Sequence, residues 1–206
     1  MHNRIFEFWT GGQASGKTYQ LKRRIDELSR RKTIKSVFVC DRIGEYLENG
    51  QVFYKFSDYL SMDKMPRVCV FALGLEPRAY DRIFKEAITQ GDVVVVIDEG
   101  YEFAPAGAQW RGCVDLQRIV LAGRHLQNCQ NQMRAVHLLV ATQYPRQVHH
   151  SLCSQAAVVC SSRLLGDNAT DWIRGNFGQA AAAENATLKE HVFQVLRPEN
   201  GKLPKN

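Results

Sequence analysis

"TGGQASGKT", residues 10–18, follows directly on the apolar run "RIFEFW" (4–9) and leads into "KTYQLKRRIDELSRRK". A strand, a glycine-rich loop and a helix in that order let backbone amides surround a phosphate at a helix N-terminus. Leu21, Ile25 and Leu28 recur at helical spacing after the loop, with basic residues on the other face. Gly11, Gly12, Gln13, Ala14, Ser15, Gly16, Lys17 and Thr18 satisfy GxxxxGK[ST] at every position. The spacing has a chemical reason. Glycines let the main chain wrap closely, so that consecutive N–H groups point inward. Lys17 then reaches the β- and γ-phosphate oxygens, and the Thr18 hydroxyl serves a Mg²⁺ ion. Residues 11–18 are therefore expected to hold a nucleotide.

Working outward, "SVFVCD" (36–41), "RVCVFAL" (67–73), "DVVVVIDEG" (92–100), "AVHLLVATQYP" (135–145, with its exit loop), "AAVVCSSRLL" (156–165) and "HVFQVLR" (191–197) read as strands. Between them, "PRAYDRIFKEAITQG" puts Tyr80, Ile83, Phe84, Ala87 and Ile88 on one helix face and stops at Gly91. A second helix, around 113–126, carries Leu116, Ile119 and Val120 on one side. Strands alternating with helices predict an α/β fold with a mostly parallel central sheet and helices on both faces. The near-continuous apolar run at 93–97 fits a central strand covered on both sides. No repeat or linker divides the chain, so residues 1–206 are expected to form a single domain with a short polar tail from about 198.

Composition narrows the class. Of 206 residues, 45% are hydrophobic and 23% charged, as in soluble globular proteins. No apolar run, "VVVVI" included, approaches the roughly 20 residues that span a bilayer. The N-terminus lacks the pattern of a secretory signal. A cytoplasmic protein without stable membrane insertion is expected. The six cysteines form no CxxC pair, and Cys40, Cys69 and Cys160 fall inside strand-like runs, as reduced core residues do. The net charge of +6 fits either a polyanionic partner or a solvated basic surface.

The next chemical signal is "VVVVIDEG". Asp98 at the carboxyl end of a buried strand can hold the Mg²⁺ shell opposite Thr18. Glu99, read as pointing to the other side of the pleat, comes within reach of an attacking water as general base. Gln143, just past the strand in "LLVATQYP", can sense the γ-phosphate and orient water.

"GGQASGKT", "VVVVIDEG", "AGRHL" and "HLLVATQYP", in this order, resemble the FtsK–HerA superfamily of ring-forming DNA-translocating ATPases. "VCDRIGEY" (39–46) is similar to the aspartate-bearing second strand of some members. The resemblance covers roughly residues 4–165, and "ATQYP" with the upstream "GRH" is its discriminating part. Compact chains that are nearly all motor core resemble the genome-packaging ATPases of tailless icosahedral viruses with an internal membrane. The resemblance implies a RecA-like P-loop NTPase core, ATP and Mg²⁺ as cofactors, and a ring, expected to be a hexamer. It also implies an arginine finger from a neighbouring subunit, for which Arg124 in "AGRHL" is the first candidate and Arg118 and Arg163 are alternatives. The implied function is ATP-driven translocation of double-stranded DNA without sequence preference, packaging a viral genome into a procapsid. Capsid or membrane vertex proteins would be its docking partners in the host cytoplasm.

A motor needs a surface that grips phosphates without reading bases. Trp110 and Arg111, on the Gly/Ala/Pro-rich stretch 104–112 after the acid pair, are candidates for DNA contact or equally for a subunit contact. Lys22, Arg23, Arg24, Arg30, Arg31 and Lys32 read as a solvated helix face. Three alternatives stand beside the motor: a Zot-like assembly ATPase, a scaffold that binds ATP and hydrolyses it poorly, and a small-molecule P-loop kinase.

Overall fold

Val93, Val95 and Ile97 pack into one hydrophobic layer, while Val94 and Val96 pack into another. That is why the run lacks polar alternation: strand β5 (Val93–Ile97) has helices over both faces, and all five side chains are buried. Burial of each contributes about 1.5–3 kcal/mol. The same division recurs in β6 (Val136–Thr142), with Leu138 and Val140 on one side and Leu139 and Ala141 on the other. It recurs again in β2 (Ser36–Cys40), where Phe38 and Cys40 oppose Val37 and Val39.

The computed structural model describes residues 4–196 except 108, 109, 111, 124, 128, 129, 131 and 165. The expectations for Arg111, Arg124 and the tail from about 198 lie outside the described residues. Eight strands form one sheet in the order β3-β4-β2-β5-β6-β1-β7-β8. The remaining strands are β1 (Phe6–Thr10), β3 (Gln51–Phe53), β4 (Val68–Phe71), β7 (Val158–Ser162) and β8 (Phe193–Leu196). All neighbours pair parallel except β7 and β8, which run antiparallel at one edge. The short β3 strand was not expected. It has three residues, one of them exposed, and only the open edge of β4 gives it hydrogen-bond partners.

One sheet face is covered by α1 (Lys17–Ser29), whose Leu21, Ile25 and Leu28 are fully buried. The other carries α3 (Asp81–Gln90), α5 (Val114–Ala122), α6 (His150–Ser154), α7 (Asp167–Phe177) and α8 (Gln179–Ala186), with their buried residues in the larger cluster. Two short helices, α2 (Phe56–Leu60) and α4 (Gly100–Phe103), complete the described set. Tyr80, expected within α3, instead sits in a 3₁₀ turn, Pro77–Tyr80, just before it. The helix expected around 113–126 ends at Ala122. The Arg4 guanidinium donates to the Ile119 and Val120 carbonyls there, adding to the Gly123 amide that already reaches Ile119. Five described cysteines (40, 69, 113, 153 and 160) are buried free thiols. No described helix is long and apolar enough to cross a membrane.

Candidate nucleotide-binding site

Four neighbouring parallel strands, in the order β2-β5-β6-β1, deliver their carboxyl ends to one edge of the sheet. Ligands of open α/β sheets bind in the crevice outside such ends. Strand spacing of about 4.8 Å then brings together loops that are far apart in sequence. Gln13 to Thr18 follow β1, Gln143 follows β6, Asp98 and Glu99 follow β5, and Asp41 to Tyr46 follow β2. All of these but Gly44 line one cavity of about 570 Å³.

The loop after β1 turns on two left-handed residues, Ala14 (φ 56°) and Gly16 (φ 88°). Gly16 caps α1, so the first amides of the helix point into the cavity. Gly11 is needed for a different reason. A Cβ there would lie 1.9 Å from Ser162 Oγ at the end of β7 and 2.7 Å from Ser15 Oγ. Gly11→Ala is therefore expected to destabilise the fold by about 1–3 kcal/mol. Adding Ser162→Ala, which removes the nearest atom, should recover part of that loss in urea unfolding. No recovery would refute the contact as the cause.

Lys17 is buried, and its Nζ donates to the carbonyls of Gly11 and Gly12, each at 2.9 Å. Desolvation lowers its pKa, while Glu99, Asp98 and Glu45 act in the opposite direction. The Thr18 hydroxyl lies 3.3 Å from Asp98 Oδ2 and 3.1 Å from Glu45 Oε2. Asp98 is held from two further sides: the Tyr46 hydroxyl donates to Oδ2 at 2.7 Å and the Glu99 amide to Oδ1 at 3.0 Å.

Glu99 requires a correction. The strand ends at Ile97, so the pleat does not orient this side chain. Glu99 instead takes a left-handed conformation (φ 58°) ahead of α4, and that turn swings its carboxylate towards β6. There Gln143 Nε2 donates to Glu99 Oε1 at 2.7 Å and the Gln143 amide to Oε2 at 3.4 Å. Burial raises the Glu99 pKa and the Asp98 charge adds to it, against hydrogen bonds from Gln143 and the charge of Lys17.

The residues singled out in sequence thus divide. Gln13 to Thr18, Asp98, Glu99 and Gln143 meet in one cavity, with Gly11 and Gly12 at its base through their bonds to Lys17. Trp110 does not join them and is a second correction. It is 6% exposed and packs 5.1 Å from the His149 ring, because its apolar surface completes the larger core cluster. Little of its ring is left exposed for a DNA contact. Arg118 lies on the exposed side of α5, paired with Asp115 at 2.5 Å, and Arg163 directly follows β7. Half of the basic cluster on and just after α1 is ion-paired: Lys22 with Glu48, Arg24 with Glu7 and Glu27, and Arg31 with Glu27.

Sequence reasoning assigned no role to Asp41, Glu45 or Tyr46, although "DRIGEY" was the available signal. Asp41 is 2% exposed, and its carboxylate accepts from the amides of Gly44, Glu45 and Tyr46 at 2.8, 3.0 and 2.8 Å. Three amide bonds to one buried carboxylate fix the whole turn.

No protein-family profile matches the chain, and no curated protein sequence matches it. Solved structures do. The genome-packaging NTPase B204 from Sulfolobus turreted icosahedral virus 2, in complex with AMP, superposes with a TM-score of 0.78 at 20% identity, covering 98% of this chain and 96% of that one. The DNA-packaging ATPase B204 from Sulfolobus Turreted Icosahedral Virus gives 0.73 at 21% identity, covering 96% and 99%. The pCW3 conjugation coupling protein TcpA, with ATPγS, gives 0.60 at 15% identity over 94% of this chain and 58% of its own. At these identities the likeness is one of fold: the chain has the P-loop NTPase fold of B204.

Proposed function

We propose that this chain is an ATPase that moves double-stranded DNA, packaging a viral genome into a procapsid. The observation that carries the reading is the Glu99–Gln143 pair, hydrogen-bonded at 2.7 Å in the same cavity as Lys17, Thr18 and Asp98. A nucleotide-binding loop alone would serve many functions. A half-buried carboxylate with a raised pKa, steadied by an amide and facing the phosphate site, supplies a base for water. The shared fold with B204, whose structures include AMP and ATPγS complexes, agrees with this.

The pocket also suits Mg²⁺. Hydroxyl and carboxylate oxygens converge at Thr18 and Asp98, the donor type that hard cations take, with waters filling the remaining positions. When bound, the ion would neutralise charge on the phosphates. The chain's residues do the rest. Lys17 and the amides of residues 11–18 hold the phosphates, Glu99 accepts a proton from the attacking water, and Gln143 orients Glu99 and reads the γ-phosphate. Arg124, or failing it Arg118 or Arg163, donated by a neighbour in a ring, would offset charge growing on the transferred group. The net charge of +6 favours a sequence-independent phosphate grip, with Arg111 now the leading candidate on the stretch after α4. Assembly on a capsid or membrane vertex in the host cytoplasm completes the proposal.

Phosphate release from Mg-ATP, measured with and without double-stranded DNA across protein concentration, tests it. The expected result is a rate stimulated by DNA and rising more than linearly with protein. A rate linear in protein and indifferent to DNA would reject the motor in favour of a scaffold ATPase.

A further inference from the structure

We propose that Glu45 is a positioning residue for the metal–nucleotide, accepting the Thr18 hydroxyl proton so that a Thr18 lone pair faces the divalent cation. The inference rests on the reading of this pocket as a Mg-nucleotide site.

A threonine hydroxyl has one proton and two lone pairs. To serve a cation with a lone pair, it must send the proton elsewhere. Two carboxylate oxygens lie within reach, Glu45 Oε2 at 3.1 Å and Asp98 Oδ2 at 3.3 Å. Asp98 Oδ2 already accepts the Tyr46 hydroxyl at the shorter distance of 2.7 Å, and Oδ1 accepts the Glu99 amide. In that contact the Tyr46 hydroxyl is the donor, since an ionised carboxylate has no proton to give. A charged oxygen also outcompetes a neutral phenol as acceptor. Glu45 is therefore the nearer and less occupied acceptor. With the Thr18 proton directed there, the remaining Asp98 lone pairs are free to receive waters on the cation.

The placement of Glu45 is built. Glu45 is an exposed side chain, of the kind that ordinarily samples many rotamers. Here its own amide and both neighbouring amides are tied to Asp41, and the next residue is anchored through its ring hydroxyl to Asp98. Gly44, at φ 84°, supplies the left-handed turn this requires. Basic side chains flanking the loop are engaged elsewhere, Lys22 with Glu48 and Arg42 with Glu102.

The test uses the purified full chain and a fluorescent ATP analogue, titrating Mg²⁺ to half-maximal binding and measuring affinity separately in EDTA. Glu45→Ala is expected to raise the half-saturating Mg²⁺ concentration by about 10–100-fold, the usual cost of removing a partner that orients a metal ligand. Its metal-free affinity and its Tm should match wild type. Glu45→Gln should recover most of the Mg²⁺ response, because its amide oxygen still accepts the hydroxyl proton. A Mg²⁺ response unchanged in Glu45→Ala would overturn the proposal. So would an equal loss in EDTA, which would mean a structural role, or a Gln variant as poor as Ala, which would mean that charge alone matters. Failure of the wild type to bind nucleotide at all would instead sink the reading of the pocket and take this inference with it.

Discussion

Glu99→Gln is expected to bind Mg-ATP as the wild type does and to hydrolyse it about 10²–10⁴ times more slowly, the range lost with a general base. The substitution preserves the shape of the Glu99–Gln143 contact, since the new amide oxygen can still accept from Gln143 Nε2 at the 2.7 Å position. The proton acceptor disappears, together with the long 3.4 Å bond that Oε2 accepts from the Gln143 main-chain amide. A second consequence is opposite in sign. Burial holds the Glu99 pKa above its ordinary value of 4.5, so the ionised carboxylate costs the ligand-free fold stability at neutral pH. That cost is absent below the ordinary value, where the group is protonated folded or unfolded, and it is fully present above the raised folded-state value. Glu99→Gln should therefore melt higher than wild type at pH 7, with the gap closing as pH falls through the folded-state pKa. Steady-state phosphate release, nucleotide binding and thermal melts across pH check the three parts. A variant that hydrolyses ATP at the wild-type rate would remove Glu99 from the mechanism.

Lys17→Met is expected to lose nucleotide binding by at least about two decades while keeping the fold. Charge-assisted hydrogen bonds contribute about 1.5–3 kcal/mol each, and the ammonium would make more than one to the phosphates. In the structure the same group donates to the Gly11 and Gly12 carbonyls, which hold it inside the loop. Methionine keeps most of the apolar stem packed, so the variant separates lost charge from lost packing. Two carbonyls lose their donor, yet the open cavity lets water replace it, and only a small drop in melting temperature should follow. Isothermal titration with ATP and a thermal melt measure both quantities. Binding within threefold of wild type would show that the amides alone hold the phosphates.

Much of this site was legible in the chain itself, for identifiable reasons. "GGQASGKT" carries its chemistry within eight consecutive residues, and its flanking strand and helix are periodic enough to read. "VVVVIDEG" announces a central strand because its first five side chains are all apolar, and the acids after it mark the edge where the cavity lies. Glu99 was placed correctly and oriented wrongly. Its direction depends on a left-handed φ that an alternating-pleat reading does not contain. Trp110 admits two readings for the complementary reason: whether an aromatic ring on a small-residue stretch is exposed is not known until the layer it packs into is.

Local spacing by itself determined the glycine-rich loop, the strand–helix alternation, the acid pair and the glutamine after a strand, because each is a short pattern whose physics acts between near neighbours. Only the tertiary structure decided what those patterns face. The strand order inserts β6 between β1 and β5, which puts Gln143 against Glu99, 44 residues apart in the chain. It sets β2 beside β5, which brings Tyr46 to Asp98 across 52 residues and lays Glu45 on Thr18 across 27. Such pairings are chosen by which strands bury the most apolar surface together, a sum over the whole core that no single segment carries.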